Sequence, residues 1–355
     1  MSIEKIDKNF AVEKGTADGK KVYPLPHPSF VLHGIFYEEE SGCFARVPQT
    51  VAQNVSEGVA FLAKHTAGGR ICFSTNSKTL QLSVRYKELW IMSHMPLTGS
   101  GSFALCEVEG NNERFVCNCM PISSDKEGYT AKVALKGEKM RNYVLYFPLY
   151  NDVKSVSVAL DEDAHVEQHN PYRALKPILY YGSSITQGGC ASRTDNAYQA
   201  LICKKNRVDF INLGFSGSAK GEDAMTEYLA SVDCSFFVCD YDHNAPNAAH
   251  LQATHFSLYE RYRKQRPDTP ILFITSPNWK WMAEGEARYQ IIKNTYQKAK
   301  KLGDEHVYFL SGKTFFGKKD AAEFTVDGTH PTDYGFHRMA DVIYKKLVEI
   351  SKDFE

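Results

Sequence analysis

The hydrophobic pattern of the sequence changes its period near residue 170, and this change constrains the fold most. Before it, apolar and polar residues alternate over 80–86, 129–136 and 155–160. Such alternation is typical of half-buried antiparallel strands, and the glycine-rich stretches between these runs fit hairpin turns. Because we see no convincing helix among them, the pattern predicts an antiparallel β-sandwich or jelly-roll domain over residues 1–170.

After residue 176 the pattern becomes an alternation of strands and helices. Short apolar runs predict five buried strands, at 177–182, 208–212, 236–241, 271–275 and 307–310. Helix-spaced apolar residues predict amphipathic helices between them, most clearly at 285–302 and 332–350. This alternation predicts a parallel, three-layer α/β domain over residues 171–355. The charged and polar stretch 161–170 is the expected linker between the two domains.

The charge balance excludes one class of partner. The chain has 42 Lys and Arg against 42 Asp and Glu, so we expect no binding to nucleic acid or to an acidic membrane surface. No apolar run approaches the roughly 18 residues of a membrane helix, and the first residues lack the apolar core of a secretory signal. Nine scattered cysteines form neither a disulfide framework nor a zinc spacing. We therefore expect a cytoplasmic protein with reduced core thiols, no metal and no cofactor.

A serine at a strand end is the first candidate for chemistry. The strand predicted at 177–182 leads directly into Gly182, Ser183, Ser184, Ile185 and Thr186. A serine on a tight strand-to-helix turn has an exposed hydroxyl and a free N–H near the helix start, as a nucleophile requires. The alternative is an ordinary helix N-cap, a position that serine also favours. From this stretch alone, both interpretations stay open.

A histidine near the carboxyl end is the second candidate. Asp327 precedes His330 by three positions, just before the last predicted helix. An aspartate at this spacing can accept the Nδ1–H of the imidazole, which fixes the tautomer and frees Nε2 to take a proton from a serine. The alternative is an Asx turn beside an exposed histidine.

Two further loops follow predicted strand ends. Gly217 lies in the loop after the second strand, and Asn244 lies in the loop after the third. A glycine lets a backbone N–H approach a substrate oxygen, and an asparagine amide supplies another donor. Together with the N–H of Ser184 they are candidates for an oxyanion hole. The alternatives are a tight turn at Gly217 and an Asx turn at Asn244.

These four loops, taken in order, resemble the SGNH (GDSL-type) esterase superfamily over residues 177–350. The resemblance implies a flavodoxin-like α/β/α fold with Ser184 as the nucleophile. Gly217 and Asn244 are then oxyanion donors together with the Ser184 N–H, and Asp327 and His330 complete the triad.

The sequence departs from the superfamily pattern at three positions. Ser183 replaces the acid of the Gly-Asp-Ser motif, and Asp242 and Ala245 replace the glycine and the acid of the Gly-x-Asn-Asp motif. None of these changes removes a reacting group, so we expect an active enzyme with altered local hydrogen bonds.

The N-terminal domain also looks like the β-sandwich that precedes some bacterial members of the superfamily. Their Gly-x-Asp-Leu-Tyr signature would fall at 101–106, where only Gly101 and Leu105 match. Two-domain members of this kind include carbohydrate O-acetyl esterases that act on mannan or xylan.

The substrate predictions rest on residues at the same sheet edge. Trp279 and Trp281 follow the fourth strand in a turn-like segment, where their faces suit sugar rings; packing between the domains is the alternative. His243 is either a substrate contact or a structural histidine. We therefore expect an esterase that removes O-acetyl groups from short hemicellulose oligosaccharides, mannan-derived ones first. The sandwich could supply a homodimer interface.

Two rival functions stay open. A lysophospholipase or thioesterase would act on longer acyl chains, although we find no long apolar loop that could form a lid. A non-catalytic carbohydrate-binding protein would use the same fold without turnover.

Overall fold

The computed structural model describes Ile6, residues 19–317 and residues 321–355. Part of the domain predicted over 1–170 therefore lies outside the described residues. The strands of the N-terminal half are β1 (Lys20–Pro24), β2 (Val31–His33), β3 (Phe36–Glu38), β4 (Cys43–Ala45), β5 (Arg70–Thr75), β6 (Thr79–Tyr86), β7 (Phe103–Glu109), β8 (Asn112–Cys119), β9 (Gly128–Ala134), β10 (Arg141–Tyr146), β11 (Val153–Asp161) and β12 (Val166–Gln168).

Two antiparallel sheets face each other in the N-terminal half. One has the strand order β1-β11-β6-β9, and the other has the order β12-β5-β10-β7-β8, with β2 also paired to β5. Leu82 of β6, Val158 of β11 and Leu145 of β10 belong to one hydrophobic core, which the two sheets share. The antiparallel sandwich predicted from the period-two pattern is confirmed.

The sheet that contains β5, β10 and β7 is buried on both faces. Leu105 and Leu145 face the sandwich core, while their strand neighbours Cys106 and Val144 belong to the core shared with the C-terminal half. Successive side chains of a strand point to opposite faces. Because both faces of this sheet are covered, the residues on each face are apolar. The N-terminal half is therefore packed against the rest of the chain over a broad sheet face.

Helices interrupt the N-terminal half, so the prediction of an all-strand region was wrong there. They are α1 (Gln49–Val55), α2 (Glu57–Leu62) and the short α3 (Leu97–Ser100). The Ser56 hydroxyl caps α2 by accepting the Val59 N–H at 3.2 Å. Val59 and Leu62 pack in a second core with residues of the C-terminal half.

The stretch 161–170 is not only a linker. Its residues Val166–Gln168 form β12, which pairs antiparallel with β5. An edge strand needs only one neighbour and tolerates polar side chains, so its sequence shows little apolar signal.

The C-terminal half alternates strands and helices as predicted, with ends that differ by one or two residues. Its elements are β13 (Ile178–Gly182), α4 (Ser184–Gln187), α5 (Tyr198–Asn206), β14 (Phe210–Gly214), α6 (Asp223–Ser231), β15 (Phe236–Asp240), α7 (Ala248–Gln265), β16 (Ile271–Ile274), α8 (Gly285–Lys301), β17 (Val307–Leu310) and α9 (Asp333–Ile350). Short 3-10 helices lie at Gly312–Thr314, Ala321–Phe324 and Lys352–Phe354.

The five strands of this half form one parallel sheet in the order β14-β13-β15-β16-β17. The chain reverses its direction of progress at β13, which has β14 on one side and β15 on the other. Open α/β sheets bind ligands in the crevice beyond the carboxyl ends of the strands at such a switch point. The predicted α/β fold is confirmed, and it places the candidate loops at this crevice.

Two further findings concern the sequence predictions on membranes and thiols. Within the part of the chain that the structure describes, no helix combines the length and the apolarity that crossing a bilayer requires. All nine cysteines are free; eight are buried, and Cys117 is partly exposed.

Candidate active site

Three strand ends lie side by side at the switch point. Gly182 at the end of β13 is in register with Gly214 of β14 on one side and with Asp240 of β15 on the other. The loops that follow are tied together, since Ser183 N–H donates to the Asp240 carbonyl at 3.1 Å and Phe215 N–H donates to the Gly182 carbonyl at 2.9 Å. The loops that carry Ser184, Gly217 and Asn244 therefore start from one level of the sheet.

Ser184 is the first residue of α4. The residue before it, Ser183, is the N-cap, and its hydroxyl accepts the Ile185 N–H at 3.2 Å. Two different serines therefore fill the two roles. Ser183 caps the helix, and the hydroxyl of Ser184 is left free for another partner. Among the described residues, the Ser184 N–H has no hydrogen-bond acceptor, as expected in the first turn of a helix.

His330 connects Ser184 to Asp327. Its Nε2 lies 2.8 Å from Ser184 Oγ, and its Nδ1 lies 2.7 Å from Asp327 Oδ2. An ionised carboxylate can only accept, so Nδ1 carries the hydrogen and Nε2 is left to accept the proton of the serine hydroxyl. The structure thus brings the three predicted triad residues together with the polarity that the predicted roles require.

The carboxylate of Asp327 is held in its ionised form. Its other oxygen accepts the N–H groups of Thr329 at 3.0 Å and His330 at 2.8 Å. Partial burial acts to raise the pKa of Asp327, but these hydrogen bonds and the one from the His330 ring outweigh it and lower the pKa to about 2. Asp327 is therefore a permanent acceptor for the imidazole at neutral pH.

The loop around Asp327 and His330 is a closed turn. Val326 N–H donates to the His330 carbonyl at 2.8 Å, and Gly328 has φ +83°, which favours glycine. The Asn278 side-chain amide, from the loop after β16, donates to the Gly328 carbonyl. The position of the imidazole is thus fixed from outside its own loop.

Gly217 and Asn244 are also brought together. The Gly217 N–H donates to Asn244 Oδ1 at 3.1 Å, and Asn244 Nδ2 donates one hydrogen to the Phe215 carbonyl at 2.7 Å. In this arrangement the Gly217 N–H is engaged, whereas the Ser184 N–H and the second Nδ2 hydrogen of Asn244 are the donors left for an oxyanion. The oxyanion roles of Gly217 and Asn244 stay predictions.

His243 takes part in a directed chain of hydrogen bonds. Because Asn278 uses its amide nitrogen on Gly328, its Oδ1 must accept the Ser276 hydroxyl, 2.6 Å away. Ser276 Oγ must then accept from His243 Nε2, also at 2.6 Å. Burial, together with the electrostatic influence of His330 and Arg288, lowers the pKa of His243 to about 4, so the ring is a neutral donor. Its predicted contact with substrate stays a prediction.

The departure at Asp242 has a structural consequence. The Asp242 side chain is buried beside this series of hydrogen bonds and accepts the Ser276 N–H at 2.8 Å. Burial raises the pKa of Asp242 to about 6. Asp242 therefore links the loop after β15 to the loop after β16. A glycine at this position has no side chain and could not make this connection.

Trp279 and Trp281 line a cavity of about 400 Å³ together with Lys313 and Phe316. The Lys313 ammonium lies 3.8 Å from the centre of the Trp279 ring and covers one of its faces. Trp281 is 53% exposed. Sugar contact at these residues stays a prediction, and Trp281 presents the larger free surface.

The N-terminal half also reaches the site, through residues that the sequence reasoning missed. The Tyr150 hydroxyl donates to the Ser184 carbonyl at 3.3 Å, and the ring centroid of His94 lies 6.0 Å from that of His330. Neither residue has a local sequence signal, because only the docking of the two halves brings them to the strand ends.

No group of three or more histidine, cysteine or acidic side chains that could hold a metal ion occurs within residues 19–317 or 321–355. The arrangement as a whole offers a serine hydroxyl, a base oriented by a carboxylate, and free N–H donors beside the serine. These are the parts that acyl transfer through a covalent serine intermediate requires.

Comparison with known families assigns both halves. Residues 175–348 match the GDSL-like Lipase/Acylhydrolase family, and residues 25–166 match the GxDLY family, described as the N-terminus of SGNH-hydrolase-type esterases. No curated protein sequence matches the chain.

Several solved structures share the fold over nearly the whole chain. A Bacteroides ovatus protein described as a GDSL-like lipase is 27% identical with a TM-score of 0.83, over 94% of this chain and 98% of that one. The salicylyl-acyltransferase SsfX3 from a tetracycline biosynthetic pathway is 17% identical with a TM-score of 0.78, over 96% and 100%. An active-site mutant of a family two carbohydrate esterase from Clostridium thermocellum is 11% identical with a TM-score of 0.63, over 93% and 100%.

The two family matches adjoin each other and together span most of the chain. Their bounds agree with the division of the chain into the antiparallel sandwich and the half that contains the parallel sheet. Residues 175–348 therefore belong to the GDSL-like lipase/acylhydrolase family, and a domain of the GxDLY family precedes them.

Proposed function

We propose that this chain is a serine esterase that removes O-acetyl groups from short acetylated hemicellulose oligosaccharides, with mannan-derived ones as the first choice. The observation that carries the esterase part is the hydrogen-bonded row Ser184–His330–Asp327, with distances of 2.8 and 2.7 Å. Free thiols at all nine cysteines support a reducing compartment such as the cytoplasm, where the substrates would be transported oligosaccharides.

The proposed mechanism has two steps. His330 Nε2 takes the proton of Ser184 as the hydroxyl oxygen attacks the ester carbonyl, and the Ser184 N–H with the Asn244 amide donates to the oxygen that becomes negative. As the bond between the acetyl carbon and the sugar oxygen breaks, His330 returns the proton to that oxygen, which gives an acetyl-serine and the free alcohol. Water, deprotonated by the same imidazole, then releases acetate and restores Ser184. Asp327 keeps the imidazole tautomer and stabilises its cationic form throughout.

The sugar part of the proposal rests on the surroundings of the serine. Exposed aromatic rings with polar neighbours, such as Trp281 beside Lys280, suit the apolar faces and the hydroxyl groups of a saccharide. A long acyl chain would need a continuous apolar channel, whereas the cavity at Trp279 and Trp281 is lined in part by Lys280 and Lys313.

The experiment is acetate release from acetylated manno- and xylo-oligosaccharides, followed by NMR, with wild type and Ser184→Ala side by side. We expect release by the wild type alone, and the acetyl resonances that vanish identify the hydroxyl groups. The matched control is Ser183→Ala, which removes the capping hydroxyl next to the nucleophile and should keep most of the activity, because capping is worth about 1 kcal/mol of stability.

Other outcomes point to the rival functions. A preference for butyrate or octanoate esters over acetate would favour a lysophospholipase or thioesterase. Good turnover of aryl acetates without release from any acetylated oligosaccharide would keep the triad and contradict the sugar substrate. Binding of oligosaccharides with no turnover of any ester would favour a non-catalytic carbohydrate-binding protein.

A further inference from the structure

A second cavity lies on the side of Ser184 that faces the N-terminal half. Its volume is about 300 Å³, and its lining includes Phe61, His65, Trp90 and Asp152. This volume is at the lower end of small-ligand sites. All four residues come from the N-terminal half, so the cavity is separate from the one at Trp279 and Trp281.

The cavity is directly connected to the candidate catalytic helix. His65 Nδ1 lies 3.4 Å from Gln187 Nε2, and Gln187 is the last residue of α4, which begins with Ser184. The His65 ring also packs beside Tyr150 at a centroid distance of 6.1 Å, and the Tyr150 hydroxyl contacts the Ser184 carbonyl. His65 and Tyr150 thus connect a ligand in this cavity to the candidate nucleophile.

The hydrogen bonds determine which atom His65 offers to a ligand. Ser216 N–H donates to Gln187 Oε1 at 2.9 Å, which turns the Gln187 amide nitrogen toward His65 Nδ1. His65 Nδ1 must therefore accept, and the hydrogen of the neutral ring is on Nε2. Burial, with the positive charge of Arg46 nearby, lowers the pKa of His65 to about 3, so the ring stays neutral. His65 thus carries an N–H donor on a wall of the cavity.

The aromatic wall is exposed, although the backbone of Trp90 is held by hydrogen bonds. Trp90 is 44% exposed and Phe61 is 58% exposed, and their ring centroids are 6.0 Å apart. The buried Asn151 side chain holds the Trp90 backbone from both sides, accepting its N–H at 2.7 Å and donating to its carbonyl at 3.1 Å. Exposed apolar rings on a fixed backbone are expected at binding sites, because ordering them on binding costs little entropy.

The chemistry of the lining indicates the class of ligand. Besides the aromatic faces, the cavity offers His65 and Lys87 as donors and Glu88 and Asp152 as acceptors. An aryl or alkyl group would use the rings but leave these polar groups unpaired, at a cost in desolvation. A sugar ring uses both, since its C–H face packs on an aromatic ring and its hydroxyl groups donate and accept.

We propose that the cavity of Phe61, His65, Trp90 and Asp152 is a saccharide subsite, which holds the sugar ring next to the one whose acetyl ester reaches Ser184. The proposal rests on the proposed function and extends it, because the N-terminal domain then recognises the substrate. A saccharide on His65 would also contact, through Gln187, the helix that carries the nucleophile.

The test is a binding measurement on the Ser184→Ala protein, which turns over nothing. Unacetylated mannotriose and xylotriose are titrated and followed by calorimetry and tryptophan fluorescence. We expect Trp90→Ala in this background to raise the dissociation constant at least tenfold and Trp90→Phe to raise it less. The control Leu302→Ala, an exposed residue at the opposite end of the sheet, should change nothing.

Three results would overturn the subsite. They are an unchanged dissociation constant in Trp90→Ala, loss of binding in Trp281→Ala instead, and no binding of either oligosaccharide at millimolar concentration. The proposed function fails separately, by the absence of acetate release from the wild type. Binding that depends on Trp90 without acetate release would keep the saccharide subsite and contradict the esterase substrate.

Discussion

The two halves of the molecule contribute to the candidate site in different ways. The C-terminal half supplies every predicted reacting group, since Ser184 begins α4 and both Asp327 and His330 lie just before α9. The N-terminal half supplies supporting contacts, such as the hydroxyl of Tyr150 on the Ser184 carbonyl and the ring of His94 near His330. In this molecule the chemistry follows from the topology of one half, and its surroundings follow from how the other half docks.

Arg46 shows how closely the docking is tied to the chemistry. It is 2% exposed and donates to carbonyl groups on both sides, namely His65, Leu62, Asn212 and Gly214, at 2.6 to 3.0 Å. Its guanidinium also lies 4.7 Å from the ring centre of Phe215, which is two residues before Gly217. One N-terminal side chain therefore supports both the strand end and the loop that carries a predicted oxyanion donor.

The largest effect should come from the half that supplies the reacting groups. We expect Asp327→Asn to lower kcat by about 10⁴, because an amide favours the wrong tautomer of the imidazole while the geometry is kept. The measurement is aryl acetate hydrolysis, with the thermal midpoint as a check on folding. The Asp327 side chain is 39% exposed, so the midpoint should change little. Wild-type turnover in this variant would contradict the triad assignment.

The candidate reacting residues could be named from the sequence because their signals are local. A parallel sheet gathers its strand-end loops at one edge, so Ser184, Gly217 and Asn244 needed only to follow predicted strands. Asp327 and His330 lie within four consecutive positions, so their spacing alone predicted the hydrogen bond between them. What this reasoning could not give was the hydrogen bond between Gly217 and Asn244, which depends on the exact path of two loops.

The supporting residues could not be predicted, for two physical reasons. Val51, Val55 and Val59 have helical spacing, but valine is β-branched and is as typical of strands as of helices, so α1 and α2 were missed. Tyr150 and His94 reach the candidate site through contacts with the other half, at the Ser184 carbonyl and beside the His330 ring, and no local pattern marks them for this. Their roles depend on contacts between residues far apart in the sequence, and a single sequence does not show such contacts.

The second effect should appear in stability and should come from the supporting half. We expect Arg46→Met to lower the free energy of unfolding by about 3 kcal/mol. The carbonyl groups would lose hydrogen bonds from a charged donor, and this loss is partly offset because the burial of a charge no longer has to be compensated. The measurement is urea denaturation followed by fluorescence. Arg85→Met is the control, since Arg85 is exposed on β6 and its loss should stay within about 0.5 kcal/mol. Equal midpoints for the two variants would break the contrast between buried support and surface.

The smallest effect should come from a supporting residue that touches the nucleophile's own backbone. Tyr150→Phe removes one hydroxyl, whose hydrogen bond to the Ser184 carbonyl is 3.3 Å long. We expect a loss of about 1 kcal/mol in stability and less than a tenfold loss in kcat, since one neutral hydrogen bond is worth about that much. The matched control is Tyr259→Phe, which removes a hydroxyl bonded to Asp304 at 2.9 Å, away from the site.

Comparing Tyr150→Phe with Tyr259→Phe separates an effect on stability from an effect on catalysis. Both variants should lower the thermal midpoint, but only Tyr150→Phe should change kcat, because only that hydroxyl is bonded to the predicted nucleophile. A loss of several hundredfold in Tyr150→Phe would instead place the N-terminal half in the chemistry itself. Identical kcat values in both variants and in the wild type would show that the docked sandwich acts on the substrate alone, through its aromatic cavity.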